Sequence, residues 1–97
     1  MSSKFQKDLK TVGKYPNFKK ARLSEYTSIL ANGDDLPASA RDHKLSKNSP
    51  AKYQGLRNFH VAPDICVLYY MDDEYVHLVR IGKHNDLGMT ESYLNNS

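Results

Sequence analysis

Ile65-Cys66-Val67-Leu68-Tyr69-Tyr70-Met71 decides the fold. The run is continuously apolar or aromatic and rich in β-branched side chains. It lies between Ala62-Pro63 and Asp72-Asp73-Glu74, so it reads as a short buried strand rather than a helix. The three acids form a polar hairpin loop, after which Tyr75 to Ile81 returns as a second strand and Gly82 ends it. Upstream, Tyr53 to Val61 predicts a further strand weakened by Gly55 and joined through a tight turn at Ala62-Pro63. These segments make an antiparallel meander.

Before the meander the apolar period is helical. Phe5, Leu9 and Val12 fall at i, i+4 and i+7, predicting a helix over about 4–12 that stops at Gly13. Asn17 reads as the N-cap of a second helix carrying Phe18, Ala21, Tyr26, Ile29 and Leu30 on one side and ending at Asn32-Gly33. Asp34 to Ala51 reads as a long loop. The expectation is an α+β fold: an N-terminal helical hairpin on a small antiparallel sheet of three to four strands. The 97 residues make one domain, with about 89–97 as a polar C-terminal tail.

Composition narrows the function classes. The chain is 39% hydrophobic and 26% charged, and no run approaches the ~20 apolar residues of a membrane span. No signal-peptide core follows Met1, and the single cysteine, Cys66, excludes an internal disulfide framework and fits a reducing cytoplasm. The net charge of +3 averages over blocks of opposite sign: +6 in residues 1–22, where Asp8 is the only acid, then −3, +4 in residues 41–63, and −4. Segregated positive charge is the footprint of a polyanion binder, although a solvated basic helix face has the same signature.

Pairing the last two strands across the acidic loop, with Met71 against Tyr75, puts Val67 against Val79 and Ile65 against Ile81 under the helices. Asp64, Cys66, Leu68 and Tyr70 then share the other face with Gly82, Arg80, Leu78 and Val76. A three-residue turn at 61–63 would set His60 opposite Asp64, and His84 follows at the same end. Two histidines, a carboxylate and an arginine suit metal-independent RNA cleavage, in which the ribose 2′-OH attacks its own 3′-phosphate. Histidine can act as base or acid near neutrality, each role worth about 10²–10⁴-fold. Arginine matches phosphate oxygens in bidentate geometry, and the 2′-OH restricts the reaction to RNA. The four histidines show no tight metal-ligand spacing, Cys66 lacks an activating environment mid-strand, and no Gly-rich phosphate loop is present. His77 reads as structural.

Several segments carry a family likeness: Leu36-Pro37, Arg41-Asp42-His43-Lys44-Leu45, Tyr53-Gln54-Gly55-Leu56-Arg57, His60-Val61-Ala62-Pro63-Asp64 and Arg80-Ile81-Gly82-Lys83-His84, followed by Asp86-Leu87. In order and spacing, over about residues 4–88, the chain resembles the RelE/YafQ-type toxins of bacterial type II toxin–antitoxin systems. The resemblance implies a cytoplasmic, ribosome-dependent mRNA endoribonuclease that cuts mRNA in the ribosomal A site, inhibits translation and is neutralised by a cognate antitoxin. It needs no cofactor or metal. By the same resemblance His84 is the leading acid/base group and Asp64 its proton-transfer partner. Arg80 stabilises phosphate charge, and His60 and His43 position or assist. Arg41, Lys44, Arg57 and Lys83 hold mRNA and ribosomal RNA phosphates.

The chain departs from the family pattern in three places. Ile65 and Gly88 stand where relatives carry aromatic residues, with Tyr93 as a candidate replacement, and the N-terminal strand is shortened or missing. These departures leave a second reading open, a catalytically weakened RelE-like module that binds antitoxin or RNA without cleaving. A metal-dependent nuclease is the third.

Overall fold

A computed structural model describes residues 3–45, 53–83 and 86–87. The candidate acid/base His84, the departure at Gly88 with its candidate replacement Tyr93, and the tail from residue 89 lie outside the described residues. The elements are α1 (Ser3–Val12), α2 (Lys20–Ala31), a 3-10 turn at Ala38–Ala40, β1 (His43–Lys44), β2 (Arg57–Ala62), β3 (Ile65–Met71) and β4 (Val76–Gly82). The four strands form one antiparallel sheet in the order β1-β2-β3-β4, and both helices cover one face of it. The α+β expectation holds. The fourth strand, β1, comes from a segment read as loop. Among the described residues no strand precedes α1.

β3 behaves as its composition requires: Ile65 to Tyr69 are buried, and only Tyr70 and Met71 at the far end are exposed. α1 buries Phe5 and Val12 two turns apart, with Leu9 packed beside them. α2 begins three residues beyond the expected cap. Phe18 N–H bonds the Tyr15 carbonyl at 3.1 Å, closing a turn around Pro16 and leaving Lys19, in extended backbone, at the N-cap without a side-chain hydrogen bond. The buried stripe of α2 is therefore Leu23, Tyr26 and Leu30, while Ala21 faces solvent. β2 also starts late. Residues 53–55 form a turn in which Gly55 takes φ +87°, open to glycine at little cost, so Gly55 shapes the entry to the strand instead of weakening its middle.

Phe59 sits at the centre of the helix-side core. Its ring meets Tyr26 edge-on at 5.9 Å and Tyr69 edge-on at 5.4 Å, the favourable T-shaped geometry for aromatic pairs. A smaller apolar cluster covers the opposite face, where Tyr53, Cys66, Leu68 and Leu87 are buried, with Leu45 and Leu56 packed against them. Both faces of the sheet are thus closed, which explains why β3 is apolar without alternation.

Toward the end of the sheet away from the acidic loop, the register differs from the loop-based alignment by an even step, so faces are kept there. Val67 pairs with Ile81 and Leu68 with Arg80, two residues along from the expected partners. An irregularity then leaves Val79 as the extra residue, because the next pair is Tyr69 with Leu78. That bulge turns Leu78 into the helix-side core instead of the outer face. On the other side Ala62 pairs with Ile65 across a two-residue turn, Pro63-Asp64. The register slips between His60 and Ala62, so His60 lies opposite Cys66 and not Asp64.

Removing the Phe59 ring opens a cavity that its two aromatic neighbours cannot collapse into. Phe59→Ala is expected to cost about 3–5 kcal/mol, read as a lower urea midpoint, whereas Met71→Ala on the exposed end of β3 stays within about 0.5 kcal/mol.

Candidate functional site

The candidate residues fall in two rows on the sheet face opposite the helices. One row crosses all four strands: His43 pairs with Asn58, Asn58 with Leu68, and Leu68 with Arg80. The next row on the same face, about 7 Å along the strands, is His60, Cys66 and Gly82. Asp64 stands two residues before Cys66 in the turn, and Lys83 leaves β4 just after Gly82. His60, Asp64 and Lys83 therefore lie toward one end of the sheet, with His60 and Asp64 not cross-strand partners. Of the set expected to converge there, His84 lies outside the described residues and Arg80 stands one row back.

Arg80 is not free beside Asp64. Its Nε donates to Asp8 Oδ2 at 2.7 Å, one terminal amine to Asp8 Oδ1 at 3.0 Å, and the other to the Tyr53 hydroxyl at 3.1 Å. Asp8 also accepts the Ile81 N–H at 3.1 Å, satisfying a donor on the outer edge of β4. Both side chains are mostly buried, and the Asp8 hydrogen bonds hold the guanidinium above its ordinary pKa despite that burial. Tyr53 passes the chain of contacts on, donating to the Leu87 carbonyl at 2.8 Å. Leu87 N–H in turn bonds the Lys83 carbonyl at 3.2 Å, closing the ends of the segment that contains His84 in sequence. Arg80 thus reaches Leu87 through Tyr53; the arginine expected to meet phosphate is tied to Asp8.

Arg57 is committed in a similar way. Its Nε lies 3.3 Å from Asp42 Oδ1 and 3.4 Å from the Tyr69 hydroxyl, and Tyr69 donates to the same carboxylate oxygen at 2.5 Å. Burial, then the bond to Asp42, pushes the Tyr69 hydroxyl far above its usual pKa, so it stays a donor. His43 sits over β2, its Nε2 at 3.2 Å from the Asn58 side-chain nitrogen and its Nδ1 at 2.5 Å from the Arg41 carbonyl. These contacts orient the ring. Lys44 and Arg41 are exposed, Arg41 in left-handed backbone at φ 52°.

The end with Asp64 is looser. Lys83 Nζ approaches Asp64 Oδ2 at 3.6 Å, with both side chains about half exposed, a pair weak enough for an incoming anion to displace. Lys83 also lies 4.3 Å over the Tyr15 ring, and the Tyr15 hydroxyl donates to Asp86 Oδ2 at 2.8 Å. That bond to the carboxylate, first among several causes, raises the Tyr15 pKa. Asp86 Oδ2 also accepts the Lys83 N–H at 3.1 Å. Sequence reasoning missed Asp8, Tyr15, Tyr53 and Asp86. Tyr53 and Asp86 stood in the segments that carry the family likeness without a role, and Asp8 left a trace as the single acid in an otherwise basic first 22 residues.

Cys66 is fully buried, and loss of solvation pushes its thiol up to about 12, so it is no nucleophile. Among the described residues no group of three or more His, Cys, Asp or Glu side chains could hold a metal ion. Native protein at pH 8 is expected to resist a thiol reagent such as Ellman's and to react fully once unfolded in urea; equal rates in both states would contradict this burial.

The family model for the bacterial toxin of type II toxin–antitoxin systems, YafQ, matches residues 1–89. The chain belongs to the YafQ toxin family. The mRNA interferase toxin YafQ of Escherichia coli strain B / BL21-DE3 is 30% identical over 83 residues, covering 86% of each chain. The E. coli DinJ–YafQ complex superposes with a TM-score of 0.71 at 31% identity, covering 89% of this chain and 91% of the other. A copper-bound mutant toxin from Helicobacter pylori superposes at 0.76 with 28% identity, covering 89% and 92%. Ile65, one of the positions noted as a departure from the family pattern, is fully buried on the helix side.

If Asp8 and Arg80 act as a unit, Asp8→Asn is expected to cost about 1.5–3 kcal/mol, and Arg80→Gln in the Asp8→Asn background much less than in wild type. Urea unfolding of the two single variants and the double variant checks this. Additive losses would show that the pair is not coupled.

Proposed function

We propose that this chain is the toxin of a type II toxin–antitoxin pair and cleaves mRNA in the ribosomal A site. The observation that carries this reading is the convergence of His60, Asp64 and Lys83 at one open end of the sheet, where the His84 segment begins. In the cleavage step the 2′-OH attacks the adjacent phosphorus, a 2′,3′-cyclic phosphate forms and the 5′-oxygen leaves. His84 is the acid/base group that exchanges the proton with the reacting oxygens. Asp64 is its proton-transfer partner, polarising the imidazole or taking the 2′-OH proton. Lys83, released from its exposed pairing with Asp64, supplies charge to the phosphorane in the place first given to Arg80. His60 and His43 orient the strand, Arg41 and Lys44 add phosphate contacts, and Arg57 holds the β1–β2 edge in shape. A cognate antitoxin is the protein partner, as DinJ is for the E. coli relative.

The sequestration of Arg80 by Asp8 favours a second reading, a weakened toxin that binds without cutting. Induction in a translating bacterial host separates the two. Wild type is expected to arrest growth and to leave primer-extension stops within codons. His84→Ala and Asp64→Asn should abolish both while still binding antitoxin. Growth arrest unchanged in His84→Ala would remove His84 from the mechanism, and a wild type that leaves messages intact would establish the binding module.

A further inference from the structure

Two of the four arginines are neutralised within the fold, Arg57 by Asp42 and Arg80 by Asp8. The other two, Arg22 and Arg41, are exposed, and among the described residues no carboxylate pairs with either. They line the same cleft. It has a volume of about 430 Å³ and is bordered by Arg22 and Tyr26 of α2, by Ser39 and Arg41 at the 3-10 turn, and by His60 with the β2–β3 turn. Its origin is topological: β1 pairs only with Arg57 and Asn58, so β2 runs on from Phe59 without an outer neighbour, and α2 and the 3-10 turn stand either side of the gap.

We propose that this cleft is a phosphate subsite for the RNA strand, distinct from the reacting phosphate near Asp64 and Lys83. The inference rests on the reading that the substrate is RNA and adds where a neighbouring phosphodiester is held. Guanidinium-bearing side chains from two separate elements line one concave site, an arrangement suited to bidentate hydrogen bonding of the non-bridging oxygens of a phosphodiester. The Ser39 hydroxyl offers a further donor. The buried His60 forms part of the wall, so the strand that fills the cleft passes directly to the catalytic end. Arg41 lines the cleft from the end of the 3-10 turn, and Arg22 sits one helical turn before Tyr26, whose ring packs on Phe59. The subsite is therefore held by the core and needs no loop to close over it.

The test uses a 2′-O-methyl RNA decamer, which lacks the nucleophile and so reports binding apart from cleavage. Fluorescence anisotropy with the full chain at several salt concentrations is expected to show that Arg22→Gln with Arg41→Gln weakens binding about tenfold and lowers the salt slope by about 0.7, one phosphate contact on a single strand. Lys10→Gln, an exposed charge on α1, should leave both nearly unchanged. Loss of binding equal in the lysine variant and the arginine variants overturns the subsite, as does a wild type that does not bind the decamer. Thermal unfolding of each variant confirms that the fold is kept. A wild type that binds with the expected slope but never cuts message keeps the subsite and removes the nuclease reading; one that cuts while the arginine variants bind as wild type removes the subsite alone.

Discussion

The Asp8–Arg80 ion pair ties together parts of the chain that sequence order keeps apart. Asp8 reaches from the first helix to the last strand, takes two guanidinium hydrogen bonds and caps an N–H that edge strand β4 would otherwise leave bare. Through Arg80 the same contact extends to Tyr53 and from there to the Leu87 carbonyl. A helix on one face of the sheet is thereby joined to the turn that closes the other face. A partly buried pair like this contributes little net stability compared with apolar side chains of the same shape, but breaking one partner leaves a buried charge. Its value here is positional: it links α1 and β4 to Tyr53 and, through Tyr53, to Leu87.

Much of this was legible in the sequence because period and polarity were unambiguous. The apolar run from Ile65 to Met71, the acidic loop and the returning strand could form only a hairpin. Faces near the site were legible as well, since the error in register there was two residues and an even slip keeps every side chain on its own side. The bulge at Val79 was not legible. It depends on how Leu78 and Tyr69 pack beneath the helices, a tertiary preference without a local signal. The same holds for β1, whose two residues become a strand only because β2 offers an edge to pair with. Gly55 misled in the ordinary way: a glycine inside an apparent strand pattern marked the turn before the strand.

The candidate site divides along a similar line. Histidine and aspartate at strand ends could be placed by counting, and His60 and Asp64 do arrive at one end of the sheet. The arginines could not be sorted by counting, because a guanidinium reads the same in sequence whether it will face a phosphate or a carboxylate. Asp42 and Asp8 decide the matter, and both lie far along the chain from the arginines they hold. Residue charge therefore overstated the cationic surface near the site, and the uncommitted guanidiniums lie instead at the open edge of β2.

That placement bears on how so small a domain can carry both a packed core and charged groups at one end of its sheet. Most residues of the two apolar clusters come from the strands or from the inner stripe of a helix, with Ala40, Tyr53 and Leu87 added from turns. Three of the charged residues named for the site lie where elements stop: Asp64 in the β2–β3 turn, Lys83 past the end of β4, Arg41 after the 3-10 turn. Substitutions at those stops remove charge without opening a cavity. Arg80 differs from them: it is mid-strand and tied to Asp8 and Tyr53, so a change there disturbs the contact between β4 and α1 as well as removing charge.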